Sequence, residues 1–179
     1  MIAQEMRFSV KRSELAQIRA RIIKAGGELV VPRARQTSII YDDSLRSVQV
    51  QDARLCLEAG KKYSISYERS LSRGGVRQGL VLGATVSSME QMKKILQRIG
   101  FRPVSRYACY QTCWGVGLVR ATLKEFSFGQ FLEINGDAKA IIRTARELGF
   151  DIKNCINDSY ESIYQSSARA TATSEFAHA

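Results

Sequence analysis

The sequence predicts an α+β fold in which strands outnumber helices and an antiparallel sheet curves round a charged interior. Three observations lead there. Apolar and polar residues alternate over many short runs, only three long segments carry a helical period, and several strands oppose an apolar face with isolated charges. At 179 residues the chain suits one domain with a real core. A single domain is expected over residues 1–165, with a small, polar, flexible tail over 166–179.

The first strand places Met6, Phe8 and Val10 opposite Glu5, Arg7 and Ser9. A helix should follow, capped by Ser13, striped by Leu15, Ile18, Ile22 and Ile23, and stopped by Gly26-Gly27. Between 28 and 86 there is no long helical period. Short runs at 37–41, 48–50, 53–58, 63–68 and 80–86 read as an antiparallel meander, with a flexible tip at 72–75. A second helix starts at Ser88, which forms a capping box with Gln91, and buries Met92, Ile95, Leu96 and Ile99 before Gly100-Phe101. Strands are expected at 104–114, 118–126 and 130–134. A third helix runs from Asp137 through Ile141, Ile142, Ala145 and Leu148 to Gly149-Phe150. An apolar segment at 160–164 closes the fold.

Charge narrows the function classes. The formal net charge is +10, and residues 69–124 hold ten basic side chains against one acid, Glu90. Such a balance points to an anionic partner: phosphates, nucleic acid or a membrane surface. No apolar run approaches the roughly 20 residues of a membrane helix, and no secretory signal is visible, so a cytoplasmic protein without membrane partners is expected. Cys56, Cys109, Cys113 and Cys155 form no C-x-x-C pair and read as free thiols. The one histidine, His178, is next to last, which excludes an internal His base, a Ser-His-Asp triad and a histidine zinc site. No G-x-G-x-x-G or P-loop is present.

Period-two geometry puts Glu5 with Arg7, Arg120 with Thr122 and Lys124, Glu133 with Asn135, and Arg106 with Ala108 and Tyr110. These are either the wet faces of a sheet or the lining of a curved one that closes round a ligand.

The order of these motifs resembles the CYTH superfamily, which includes class IV adenylyl cyclases, thiamine triphosphatase and inorganic triphosphatases. Its opening E-x-E-x-K corresponds to Ala3, Glu5 and Arg7, and its L-R-[IL]-R strand to Ala53-Arg54-Leu55-Cys56. The strand ending in T-Y-K becomes Ser66-Tyr67-Glu68, and R-x-E-x-E becomes Arg77, Gly79 and Val81. The V-x-K-x-R strand becomes Val104, Arg106 and Ala108. The closing l-G-x-F-l-E-I-E becomes Phe128 to Asn135. The resemblance spans about residues 2–164 and implies an eight-stranded antiparallel tunnel, closed or nearly so, with helices outside.

In that family basic residues hold a triphosphate, and acids hold magnesium or manganese. Here Glu5 and Glu133 are the residual metal ligands, while Ala3, Gly79, Val81, Lys124 and Asn135 stand at the other acidic positions. Arg7, Arg54, Arg77 and Arg106 are kept as anion ligands, with Arg120 and Lys124 as additions. The expected lining is five bases (Arg7, Arg54, Arg77, Arg106, Lys124) and three acids (Glu5, Glu68, Glu133). The resulting expectation is a nucleotide-, triphosphate- or polyphosphate-binding protein with weak or no metal-dependent catalysis and no assigned catalytic residue. Two alternatives stand beside it: an active cyclase or triphosphatase using magnesium or manganese, and a basic nucleic-acid-binding module. A homodimer is compatible with either.

Overall fold

The computed structural model describes residues 2–72 and 75–167. Two residues of the expected loop tip, 73 and 74, and the expected tail from 168 onward lie outside them. Eight strands run in chain order: β1 (Ile2–Val10), β2 (Glu28–Asp42), β3 (Ala53–Ala59), β4 (Tyr63–Ser72), β5 (Arg77–Val86), β6 (Arg102–Val116), β7 (Val119–Phe126) and β8 (Gly129–Asn135). They pair antiparallel in the order β1-β5-β4-β3-β2-β6-β7-β8, and β8 pairs back to β1, closing a barrel. Helices are α1 (Leu15–Lys24), the single turn α2 (Ser47–Val50), α3 (Met89–Arg98), α4 (Ala138–Glu147) and α5, residues 160–167. Residues 166 and 167 thus belong to a helix rather than to the tail.

The helices pack on two sectors of the outer wall. Met6, Phe8 and Val10 of β1, with Leu123, Leu132 and Ile134, bury against Ile18 and Ile22 of α1 and Ile141 and Ala145 of α4. Leu96 of α3 covers Ile39, Tyr41 and Leu57. Gly100 and Gly149, both at positive φ, end α3 and α4, and the next amides close back: Phe101 N–H donates to Leu96, Phe150 N–H to Ala145. Each Gly-Phe pair then seats its ring on a core, Phe101 with the α3 cluster and Phe150 against Phe8.

Two local expectations differ. Ser13 does not cap α1. It sits inside a 3-10 turn, Arg12–Glu14, whose entry is held by the Glu14 carboxylate accepting the Lys11 N–H. The run 48–50 is not a strand. The Asp42 carboxylate accepts the Val48 and Gln49 amides and winds them into α2.

Candidate functional site

Because side chains alternate across a strand, covering Met6 and Phe8 with helices forces Glu5 and Arg7 into the barrel. The same logic turns Thr122 and Lys124 of β7 and Glu133 and Asn135 of β8 inward. From the remaining strands come Arg54 and Glu58 (β3), Glu68 (β4) and Arg77 (β5). All line one cavity of about 640 Å³, within the range of small-molecule sites.

Four of the six anticipated anion ligands meet there: Arg7, Arg54, Arg77 and Lys124. Arg106 does not. β6 pairs with β7 so that Gln111 faces Lys124, which puts Tyr107, Cys109 and Gln111 on the inner side and leaves Arg106 exposed outside. This is a one-residue slip from the expected register. Arg120 keeps the inward phase of β7, but it sits at the strand's end, exposed, beside a shallow pocket with Gly115, Gly117 and Leu118.

Sequence reasoning missed Asp52, Glu58 and Glu161 as lining residues; Arg69 also borders the cavity, but with Glu68 and Ser70 turned inward its side chain shares the outer face with Ala53 and Leu80. The lining therefore has four bases (Arg7, Arg54, Arg77, Lys124) against six acids (Glu5, Asp52, Glu58, Glu68, Glu133, Glu161). The anticipated cationic excess is absent. Period two could have found Glu58, two and four residues from Cys56 and Arg54. Asp52 comes from the turn after α2 and Glu161 from α5, neither of which a strand pattern covers.

The inner charges are paired. Arg7 Nη2 lies 3.1 Å from Glu5 and 3.7 Å from Glu133, and its Nη1 donates to the Asp158 carbonyl. Its guanidinium also stacks 3.8 Å from the centre of the Tyr160 ring. Lys124 Nζ is 3.0 Å from Glu133 Oε2, the atom that also accepts the Tyr160 hydroxyl at 3.0 Å. Arg77 donates to Glu5 at 3.1 Å. Arg54 donates to Glu68 and, at 3.1 Å, to the Tyr107 hydroxyl. Burial alone would raise the pKa of Glu133, but Lys124 and Arg7 outweigh it and hold the carboxyl down at about 2. Glu5 goes the other way: burial and the Glu133 charge overcome Arg7, Arg77 and Lys124 and raise it. Burial pushes the Tyr107 phenol up to about 12.

The family resemblance implies magnesium or manganese at Glu5 and Glu133, but the donor set does not fit a divalent ion. Both carboxylates are brought together on Arg7, yet each is already bonded to cations. A divalent cation about 4 Å from the Lys124 ammonium would meet repulsion of about 8 kcal/mol at an effective dielectric of about 20. Ala3, Gly79 and Val81 line the adjoining wall and offer no side-chain oxygen. Among the described residues no group of three or more His, Cys, Asp or Glu is placed to hold a metal.

One end of the interior is apolar. Ile40, Cys56, Tyr107, Cys109, Phe126, Phe131 and Tyr160 pack there, with Ile156 and Ile163 against them. The C-terminal segment reaches this cluster past the free edge of β1, where the Ile156 N–H donates to the Arg7 carbonyl at 2.7 Å.

No sequence-family model matches the chain, and no curated protein matches it by sequence. Solved structures do. A candidate adenylate cyclase from Vibrio parahaemolyticus superposes with TM-score 0.80 at 14% identity, covering 92% of this chain and 98% of that one. A Pyrococcus horikoshii protein gives 0.77 at 18%, covering 90% and 98%. The chain has a CYTH-like fold. A further CYTH-like match is a Hippeastrum protein described as a candidate adenylyl cyclase with a dominant triphosphatase activity. It gives TM-score 0.65 at 13% identity, covering 93% and 96%. No helix among the described residues is long and apolar enough to cross a membrane.

Proposed function

We propose that this CYTH-like protein binds a phosphorylated small molecule, such as a nucleotide or an inorganic tri- or polyphosphate, inside the barrel, without efficient metal-dependent turnover. The observation that carries this is the convergence of Arg7, Arg54, Arg77 and Lys124, from four different strands, on one cavity. Guanidinium groups offer planar paired donors suited to phosphate oxygens. The solved structures of this fold described as adenylate cyclase or triphosphatase point to the same ligand class. Because acids outnumber bases in the lining, recognition rests on directed hydrogen bonds rather than on an attractive field. Catalysis is disfavoured because Lys124 occupies the carboxylate cluster that would hold the metal.

Isothermal titration of inorganic tripolyphosphate, ATP and thiamine triphosphate, each with EDTA and with magnesium or manganese, tests the reading. Binding is expected for at least one compound in EDTA, with no tightening when metal is added and no phosphate or pyrophosphate released. Metal-dependent release would overturn the non-catalytic part, and no binding at millimolar ligand would overturn the whole.

A further inference from the structure

One sector of the outer wall joins basic charge to a flat stacked surface. On β2 and β6 the pairing sets Arg35 against Tyr110, Thr37 against Ala108 and Ile39 against Arg106. Gln36 and Gln111 line the cavity, so the residues beside them in sequence, Arg35, Thr37 and Tyr110, turn outward, as do Ala108 and Arg106 in the same phase. The patch lies between the two helix-covered sectors. Ile39 is under α3 at one side, and Trp114 joins the core beneath α1 and α4 at the other.

At its centre the Arg33 guanidinium lies over the Tyr110 ring, 3.8 Å from the centroid. The edge of that guanidinium is held as well. Its Nε donates to Glu125 Oε1 at 3.1 Å and its Nη2 to Oε2 at 3.5 Å, while Arg19 fixes the same carboxylate at 2.9 Å. With a ring beneath and a carboxylate at the edge, the plane is set before any ligand arrives, and its outer face stays open. The Arg33 side chain keeps 48% of its surface exposed, and Tyr110 keeps 43%.

Beside this stack the floor is low, because Thr37 and Ala108 are small. Arg35 borders it at one side. Arg106 borders it at the other, four residues from Tyr110 and thus about 13 Å away along the strand. Both arginines are exposed and form no ion pair with any described residue. Glu125 is the one acid in the patch, and Arg19 and Arg33 neutralise it.

We propose that this outer face of β2 and β6 binds single-stranded nucleic acid, with one unpaired base stacked on the Arg33–Tyr110 pair and flanking phosphates on Arg35 and Arg106. Base rings stack on guanidinium planes and aromatic rings, and only an unpaired base can present its face, since a duplex keeps its bases in their own stack. Exposed arginines suit phosphate oxygens through paired donors. A basic patch without the platform would take any polyanion by charge alone. The surface is separate from the tunnel and stands whether or not the tunnel binds a phosphorylated ligand.

Fluorescence anisotropy of labelled twelve-nucleotide oligouridine and oligothymidine strands, and of a twelve-base-pair DNA duplex, tests this on the full chain at 50 and 150 mM salt. Both single strands should bind more tightly than the duplex, and the tighter of the two identifies the sugar. Arg33→Lys keeps the charge and loses the plane, so it should weaken single strands about fivefold or more and leave the duplex within twofold. Tyr110→Ala should do the same. Arg35→Gln and Arg106→Gln should weaken single strands and duplex alike and lower the salt dependence by about one unit each. The proposal is overturned if the duplex binds as tightly as the single strands, or if Arg33→Lys and Tyr110→Ala both bind single strands within twofold of the unaltered protein. Absence of single-strand binding at 50 mM salt would overturn it as well.

Discussion

Glu133 is where the competing demands on single residues in this barrel are sharpest. It is buried, yet it serves Lys124, Arg7 and Tyr160 at once. Removing one partner of a buried pair leaves the other charge uncompensated, which is far worse than never having the pair. Glu133→Gln should therefore cost about 3–5 kcal/mol at pH 7, read by urea unfolding. The cost has a pH signature. The Glu133 carboxyl is lowered in the fold from its ordinary 4.5 to about 2, so its contribution is present above 4.5 and is lost as pH falls towards 2. The gap between Glu133→Gln and the unaltered protein should accordingly be smaller at pH 3 than at pH 7. Glu5, raised by burial and by Glu133, contributes with the opposite sign: its share is present at low pH and lost as pH rises through its folded value. Carboxyl-carbon NMR titration should find Glu5 protonating above, and Glu133 below, the range of exposed glutamates. A Glu133 that titrates with the exposed group would show that its three partners do not hold it charged.

At the scale of elements, α5 and β6 decide what the tunnel can hold. Tyr160, the first residue of α5, fills the apolar end with its ring and satisfies Glu133 with its hydroxyl. Tyr160→Phe keeps the ring and should cost about 1.5–3 kcal/mol for the lost bond to a charged acceptor. Tyr160→Ala also empties the ring's volume and should cost about 3–5 kcal/mol. Equal losses in chemical denaturation would mean that the hydroxyl alone matters. Strand β6 carries the register. Arg106→Ala should change stability by no more than about 0.5 kcal/mol, as for an outward surface residue, and leave tripolyphosphate affinity unchanged. A large loss of affinity would put Arg106 back inside.

These two elements also show how far the sequence could be read. On β1, β7 and β8 one face is covered by α1 and α4, so alternation of apolar and charged residues states the inward face outright. β6 defeats that reading because it is apolar on both sides. Trp114 faces outward into the helix-covered core, while Tyr107 and Cys109 face inward into the apolar end. With two apolar faces, isolated polar residues no longer mark the interior, and Arg106 looks like a ligand. Short apolar runs fail similarly. Val48–Val50 has strand composition, but the carboxylate of Asp42, six residues before Val48, winds it into a turn of helix. The Gly-Phe stops after α3 and α4 were legible because they need only local geometry.

On the scale of the whole molecule, the net charge of +10 must sit outside the barrel. The cavity lining contributes six acids against four bases, so it offers none of the excess. Two kinds of anion binding should then be separable by salt. Duplex DNA, meeting the outer surface, would bind through counterion release, and its affinity should fall steeply between about 50 and 200 mM salt. Tripolyphosphate, held by directed donors in a neutralised and partly enclosed cavity, is screened less, because charges out of bulk solvent feel ions weakly. Titrations of both ligands across that salt range should show a much shallower slope for tripolyphosphate. Arg77→Gln, inside the barrel, should weaken tripolyphosphate while leaving duplex DNA nearly unaffected. Equal slopes, or displacement of tripolyphosphate by DNA at 150 mM salt, would mean that the outer surface and not the tunnel is the site of anion recognition.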